Sequence, residues 1–418
     1  MAGVGPGSPG IVERYLTLGL GVGRHIEGFV DAYYGPPALA ERVAAAPAVP
    51  PERLVAEARS LLVAIDAGEP LGDPAGARGA APEAVEGTSS EAALRRRWIR
   101  AQVVGVLTSA RILAGEHVGY ADEVEACYGV RPARVPEEEI LAAHRALEEV
   151  VPGSGPLAGR LIAWREAQAV PPERLEPAIR SLAEDLRERT GRLFGLPDGE
   201  RVDFELVTNR PWSGFNYYLG GLRSRVAVNV DLPVLSTSLA HLVAHEAYPG
   251  HHTEHTRKEV GLVRRRRWWE ESIFLVGTPQ CLLAEGLADL GLEVVVGRRP
   301  EPFAAEHFRP LHIPYDADAV AVVSAAGEAL SAVRANAAFA LHEDGADPEA
   351  VVEEVARLAL LPRERAAKSV EFLMDPTWRS YVSCYVEGLP LCRRFVDGRP
   401  ERFARLITEQ LLPGDLAA

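Results

Sequence analysis

The chain has 418 residues, 47% of them hydrophobic, and a net charge of −14. That is apolar material for about two or three lobes or for one large helical domain. The acidic balance argues against a nucleic-acid or anionic-membrane partner and for an ordinary soluble protein.

The opening MAGVGPGSPG has neither a basic n-region nor an apolar h-region, so no signal peptide is expected. No segment reaches the roughly 18 uninterrupted apolar residues of a membrane span. Apolar residues at three-to-four spacing predict helices over 11–34, 51–66, 91–114, 137–150, 156–168 and 172–193. Residues 69–90, rich in Gly, Pro and Ala, read as a mobile loop. Cys127, Cys281, Cys384 and Cys392 are scattered and form no CxxC pair, which suits a reducing cytoplasm.

One region breaks the helical pattern. RVDFELVTNRPWSGFNYYLGGLRSRVAVNVDLP, from residue 201, alternates apolar and polar residues around Gly220-Gly221. It predicts a β-hairpin with Val226, Val228 and Val230 on one face of the second strand. Helices resume after residue 270. The expected fold is mainly α, with a small hairpin or sheet beside the helix that follows it. The expected division is an N-terminal helical region over 1–200 and a metal-binding region over 201–418, or the two as one continuous domain.

That next helix carries HLVAHEAYPGHHTEH, His241 to His255, which holds five of the chain's 11 histidines. A dense His tract points to metal. Ser236 or Thr237 could cap a helix in which Leu239, Leu242 and Val243 form the apolar stripe. Glu246 falls inside that stripe, His245 at its border and His241 beside it. A buried carboxylate is costly unless paired or functional, and burial raises its pKa toward that of a general base. The usual zinc-peptidase spelling, His-Glu-x-x-His, fails here because Pro249 stands where the second His belongs. His251 is six residues after His245, about 240° around an unbroken helix, and His252 is about 10 Å along it. Pro249-Gly250 should break the helix and re-aim the chain. The preferred second ligand is His251, then His252, then His241.

At this point the chain resembles a known family. HEAYPGHH resembles the His-Glu-x-x-Pro-Gly-His-His signature of the DUF885 family of bacterial proteins, related to gluzincin-type zinc metallopeptidases. GGLRSRVAVNVDLP resembles its strand before the active helix. AEGLADLGLE resembles its Glu-Gly-Trp-Ala segment with Leu287 for Trp, and Tyr385-x-x-Gly388 resembles its Tyr-x-x-Gly. The matches span about residues 205–390. Thr253-Glu254-His255 and Asp289 depart from the family pattern. The resemblance implies a largely helical zincin-like architecture with a deep cleft and a sheet edge beside the substrate.

A catalytic zinc takes three protein ligands and one open position. Glu285, in the apolar helix CLLAEGLADLGLE, is the candidate third ligand. Asp289, four residues on, could orient a ligating His, and Cys281 is a lesser soft candidate. By resemblance Tyr385 would stabilise the oxyanion, with Tyr381 on the same face. Arg379 could grip a substrate carboxylate. Arg210, Trp212, Asn216 and Tyr217 are candidates for the cleft wall. RRRRWWEES, from Arg264, reads as a salt-bridged helix in preference to a nucleic-acid patch.

The expectation is a zinc-dependent hydrolase with one ion, a peptidase or carboxypeptidase on short peptides, with Glu246 as general base. A non-catalytic metal- or peptide-binding protein, or a hydrolase of another amide or ester, are the alternatives.

Overall fold

The computed structural model describes residues 9–77, 89–210 and 212–417. The fold is mainly α with two small sheets, because the three-to-four apolar spacing recurs along most of the chain. Residues 51–66 and 137–150 are helical with the expected bounds; three others form as Ser89–Leu113, Leu157–Glu166 and Pro172–Phe194.

The first expected helix is shorter than its pattern. Residues Ile11–Val22 are helical, and Val30–Tyr33 forms strand β1. Gly28, at φ 79°, lies between them, and the β-branched and aromatic residues after it favour a pleated surface. Of the expected mobile loop, 69–77 lacks regular structure, 78–88 lies outside the described residues, and Ser89 begins a helix.

The expected hairpin forms as β3 (Gly214–Tyr218) and β4 (Arg223–Asn229), paired antiparallel. A further strand, β2 (Arg201–Val207), pairs parallel with β4, giving the order β2-β4-β3. Val226 and Val228 are buried as expected, whereas Val230 lies beyond the strand and is exposed. β5 (Ile273–Leu275) pairs antiparallel with β1, with an irregularity in register between Val30 and Ala32.

Two apolar clusters fill the interior. One joins the helices Ile11–Val22, Pro51–Asp66 and Ser89–Leu113 to Ile273 and Leu275 of β5. The larger surrounds Pro279–Val296, whose residues are nearly all buried.

RRRRWWEES does not form the expected salt-bridged helix. The chain turns at Arg267 (φ 58°), and Glu270 and Glu271 are buried in a short turn, Trp269–Ser272. With these acids facing inward, Arg264 pairs with Glu259, Arg266 with Glu91 and Arg267 with Asp73, while Glu270 takes Arg95. Among the described residues no helix is long and apolar enough to cross a membrane.

Candidate metal centre

The His-Glu segment lies in the helix Ser236–Glu246, which packs Leu239 and Val243 into the main core. Neither Ser236 nor Thr237 caps it. Leu235 holds the cap position, and the Ser236 hydroxyl donates instead to the Pro314 carbonyl. The helix ends at Glu246, and a second one, His251–Lys258, begins after the Pro-Gly turn.

The turn is held by bonds of longer reach than helical ones. Gly250 N–H donates to the Ala244 carbonyl (2.9 Å), and Thr253 Oγ1 donates to that of Ala247 (3.1 Å). A Cβ at Gly250 would overlap the His245 carbonyl oxygen, so the approach requires glycine. The turn sets the His251 ring against that of His245, with centroids 4.7 Å apart.

Three side chains converge as a result. His251 Nε2 lies 3.1 Å from His245 Nε2. His245 Nε2 stands 3.5 Å from Glu285 Oε2, and His251 Nε2 stands 3.7 Å from Glu285 Oε1. Zinc–ligand bonds of about 2.0–2.2 Å at tetrahedral angles put donor atoms roughly 3.3–3.6 Å apart, so this set fits one ion. Glu285 Oε2 is buried without a hydrogen-bond partner among the described residues. A pair of imidazoles facing a carboxylate with an orphaned oxygen could hold a cation.

Protonation tells the same story. Burial alone would lower the pKa of His245, but Asp289 and Glu285 outweigh it and raise it well above the usual value. Burial, and then the charge on His245, push His251 down to about 4. The cluster thus favours positive charge at His245, where a dication could also sit. His245 Nδ1 lies 2.9 Å from Asp289 Oδ1, which leaves Nε2 facing Glu285 and His251. Burial opposes ionisation of Asp289, yet hydrogen bonds from His241 and His245 hold its carboxyl below the ordinary range.

His252 is not in the cluster. Fully buried, it bonds Ser224 Oγ and Glu200 Oε2, both at 2.8 Å. His241 stays exposed, 3.3 Å from Asp289 Oδ1. With His245 and Asp289 it makes a second possible group, which would have to use the other face of His245.

Glu246 is buried beside the cluster. Burial, reinforced by Glu285 and Asp289 against the opposing charge of His245, raises its carboxyl to about 7. Strand β3 lies over it: Asn216 Nδ2 donates to the Glu246 carbonyl (2.5 Å). Asn216 thus braces the helix end through Nδ2, while its Oδ1 is buried without a hydrogen-bond partner among the described residues.

Glu285 and the tyrosines meet because two helices, Pro279–Val296 and Val382–Val396, cross at glycines. A Cβ at Gly286 would overlap the backbone of Gly388, and one at Gly388 would lie 2.7 Å from the Leu282 carbonyl oxygen. This close crossing gives a physical reason for Glu-Gly in one segment and Tyr-x-x-Gly in the other. Tyr381 OH donates to Glu285 Oε1 (3.0 Å), and Tyr385 OH approaches Tyr381 OH at 3.4 Å. Burial raises both phenols, so both remain donors.

Other expected residues lie elsewhere. Arg379 is committed to Glu123 (2.6 Å) and the Val118 carbonyl (3.0 Å) and does not reach the cluster. Arg210 is in the exposed turn before β3, where its N–H donates to Asp231. Trp212 and Tyr217 join Phe215 in an aromatic group on the outer face of β3. Cys281 is buried in the core against Cys384.

Asp31, on β1, was not among the expected residues. Its position coincides with the register irregularity of β1, a device that re-aims side chains. Burial, followed by the charges of Glu285 and Glu246, raises its carboxyl to about 7. The legible signal was an acid inside Phe29–Tyr34, a β-favouring aromatic run. Glu200 was also unforeseen. It accepts from Tyr248 (2.7 Å), His252 (2.8 Å) and Arg187 (2.6 Å) and so pins both sides of the Pro-Gly turn.

No family model matches the chain, and no curated protein matches it. Among solved structures, it is similar to "the putative lipoprotein from Colwellia psychrerythraea", at 14% identity and a TM-score of 0.51, over 88% of this chain and 66% of that one. That likeness concerns the fold alone.

Proposed function

We propose that the chain is a zinc-dependent hydrolase of short peptides, as its resemblance to the DUF885 and gluzincin-type sequences implies. The observation that carries the reading is the convergence of His245 Nε2, His251 Nε2 and Glu285 beside a buried Glu246 whose carboxyl is raised to about 7. Two imidazoles and one carboxylate are a ligand set of catalytic zinc, with a position left for water.

His245, His251 and Glu285 would hold the ion, and Asp289 would fix the ring of His245. When bound, zinc supplies Lewis acidity and lowers the pKa of water. Glu246 takes the proton from the attacking water and delivers it to the leaving amine, a task suited to a pKa near neutrality. Tyr385, protonated and only loosely held by Tyr381, donates to the oxyanion. Buried free thiols at all four cysteines suit the reducing, cytoplasmic setting included in the proposal.

The test is metal content together with peptide cleavage. Purified protein should carry about one zinc per chain and cleave members of a short-peptide library, and chelation should stop it. Glu246→Gln should keep the metal and lose turnover. Cleavage at the wild-type rate by the chelated protein or by that variant would refute the mechanism.

A further inference from the structure

The structure leaves one arginine in an unusual condition. Arg334 lies on the long helix Ala317–His342. The protein crowds it enough to desolvate its charge, while its side chain remains exposed. Among the described residues no carboxylate pairs with it. Its counterparts differ: Arg379 is taken by Glu123, and Arg393 by Glu328 and Glu293.

Two contacts fix what Arg334 faces. Glu328 binds Arg393 on the Val382–Val396 helix (3.0 Å), near one end of the contact between the two helices. Near the other end His342 stacks on Tyr120, whose hydroxyl lies 3.3 Å from Ser383 Oγ. The helices thus run antiparallel. Arg334 is six residues, about 9 Å, beyond Glu328; Tyr385 is eight residues, about 12 Å, back from Arg393. That register places Arg334 beside Tyr385. From Tyr385 the chain of contacts runs through Tyr381 to Glu285. Gly327 and Ser331 precede Arg334 at i−7 and i−3, on its helical face. A Cβ at Gly327 would meet nothing within 4 Å, so this face borders open space.

We propose that Arg334 receives the terminal carboxylate of a peptide substrate, making the protein selective for free C-termini. This rests on the hydrolase reading above. A guanidinium presents a fixed fork that matches a carboxylate, and an unpaired one facing open space favours an anionic ligand. The reaction is hydrolysis of a peptide bond near that end. The C–N bond breaks, water oxygen bonds to the carbonyl carbon, and the two water protons are shared between the new amine and solvent. Arg334 thereby takes the role that the sequence offered to Arg379.

The test uses zinc-loaded protein and two peptides that differ only in a free or amidated C-terminus. A charged hydrogen bond contributes about 1.5–3 kcal/mol, so kcat/KM should favour the free acid by roughly 10- to 150-fold. In Arg334→Met the ratio should fall to near 1, and in Arg334→Lys to an intermediate value. A wild-type ratio near 1, or one unchanged by Arg334→Met, overturns the proposal while leaving the hydrolase reading intact. If neither peptide is cleaved, the hydrolase reading fails. Calorimetric binding of the same peptides to zinc-loaded Glu246→Gln protein, with and without Arg334→Met, then decides the carboxylate site. An acid preference abolished by the substitution supports it; equal binding of acid and amide overturns it.

Discussion

His251 and His252 are adjacent in sequence and sit in opposite environments. His252 has a partner on each ring nitrogen, Ser224 on one and Glu200 on the other, and Glu200 in turn accepts from Tyr248 and Arg187. Every donor on that side finds an acceptor, and the network ties the second helix to β4 and to the segment before β2. His251 points its Nε2 at another imidazole nitrogen and at a carboxylate. On that side Glu285 keeps an oxygen with no hydrogen bond. Both sides are buried and rich in His and Glu, so composition does not separate them. What separates them is whether the polar atoms are mutually satisfied. A closed network stabilises; one with an orphaned oxygen has capacity for a further partner, which the proposed ion would use.

The comparison is broken or sharpened most directly by paired substitutions. His251→Ala should weaken zinc binding by on the order of 1000-fold, as expected for one strong ligand of a few. It should also relieve crowding of His245 without unfolding the chain. His252→Ala should keep zinc affinity within about threefold and instead lower stability by about 1–3 kcal/mol, because Glu200 loses a buried donor. Competition titration with a chromophoric chelator and thermal melts of the same samples read both. Equal zinc loss in the two variants with equal melting points would erase the distinction.

A second effect, near 3 kcal/mol, concerns Glu246 in metal-free protein. Its folded pKa of about 7 stands above the ordinary value of 4.5, so the folded state binds the proton more tightly. Stability from this group is fully present below pH 4.5 and is lost as the pH rises through 7. Glu246→Gln cannot ionise. Without metal it should match wild type near pH 4 and exceed it by up to about 3 kcal/mol above pH 8. Urea unfolding at several pH values measures this. A difference that grows toward acid pH would reverse the sign and contradict the burial argument.

These contrasts also show what could be read from residue order. Glu246 was legible because one charge fell within the helical stripe of Leu239 and Val243, a purely local pattern. The break at Pro249-Gly250 was local too, since proline and glycine act on their own backbone. Which histidine it would re-aim was harder, because the answer lies with Glu200 and Ser224, 52 and 28 residues away from His252. Long-range pairing hid the rest. The parallel union of β2 with β4 and the pairing of β1 with residues past 270 leave no mark in local periodicity. Arg379 has functional-looking chemistry, but Glu123 claims it. The helical composition of the fold came through well because helix formation is set by short-range spacing.

A smaller effect is expected at Asp289, which holds His245 on the proposed metal side as Glu200 holds His252. It orients His245 from behind, 2.9 Å from Nδ1. Asp289→Asn should retain the ligand set and reduce zinc affinity by about 10- to 100-fold, the usual cost of losing such a partner. The same competition titration checks it. A loss as large as that of His251→Ala would instead assign Asp289 to the ion itself, in the group with His241 and His245.

The smallest effect tests how incomplete the open side really is. Glu285 has a single hydroxyl donor, Tyr381, on Oε1, whereas Glu200 has three donors. If an ion supplies most of the compensation for Glu285, removing that hydroxyl should matter little. A net hydrogen bond contributes about 1 kcal/mol, so Tyr381→Phe should reduce zinc affinity by about fivefold or less. Turnover should fall by a similar factor, because Tyr381 spends its proton on Glu285 and Tyr385 is the freer donor. Steady-state kinetics at saturating zinc separate the two contributions. A drop in turnover by about two orders of magnitude, with zinc still bound, is the scale of a lost oxyanion donor and would transfer that role from Tyr385 to Tyr381.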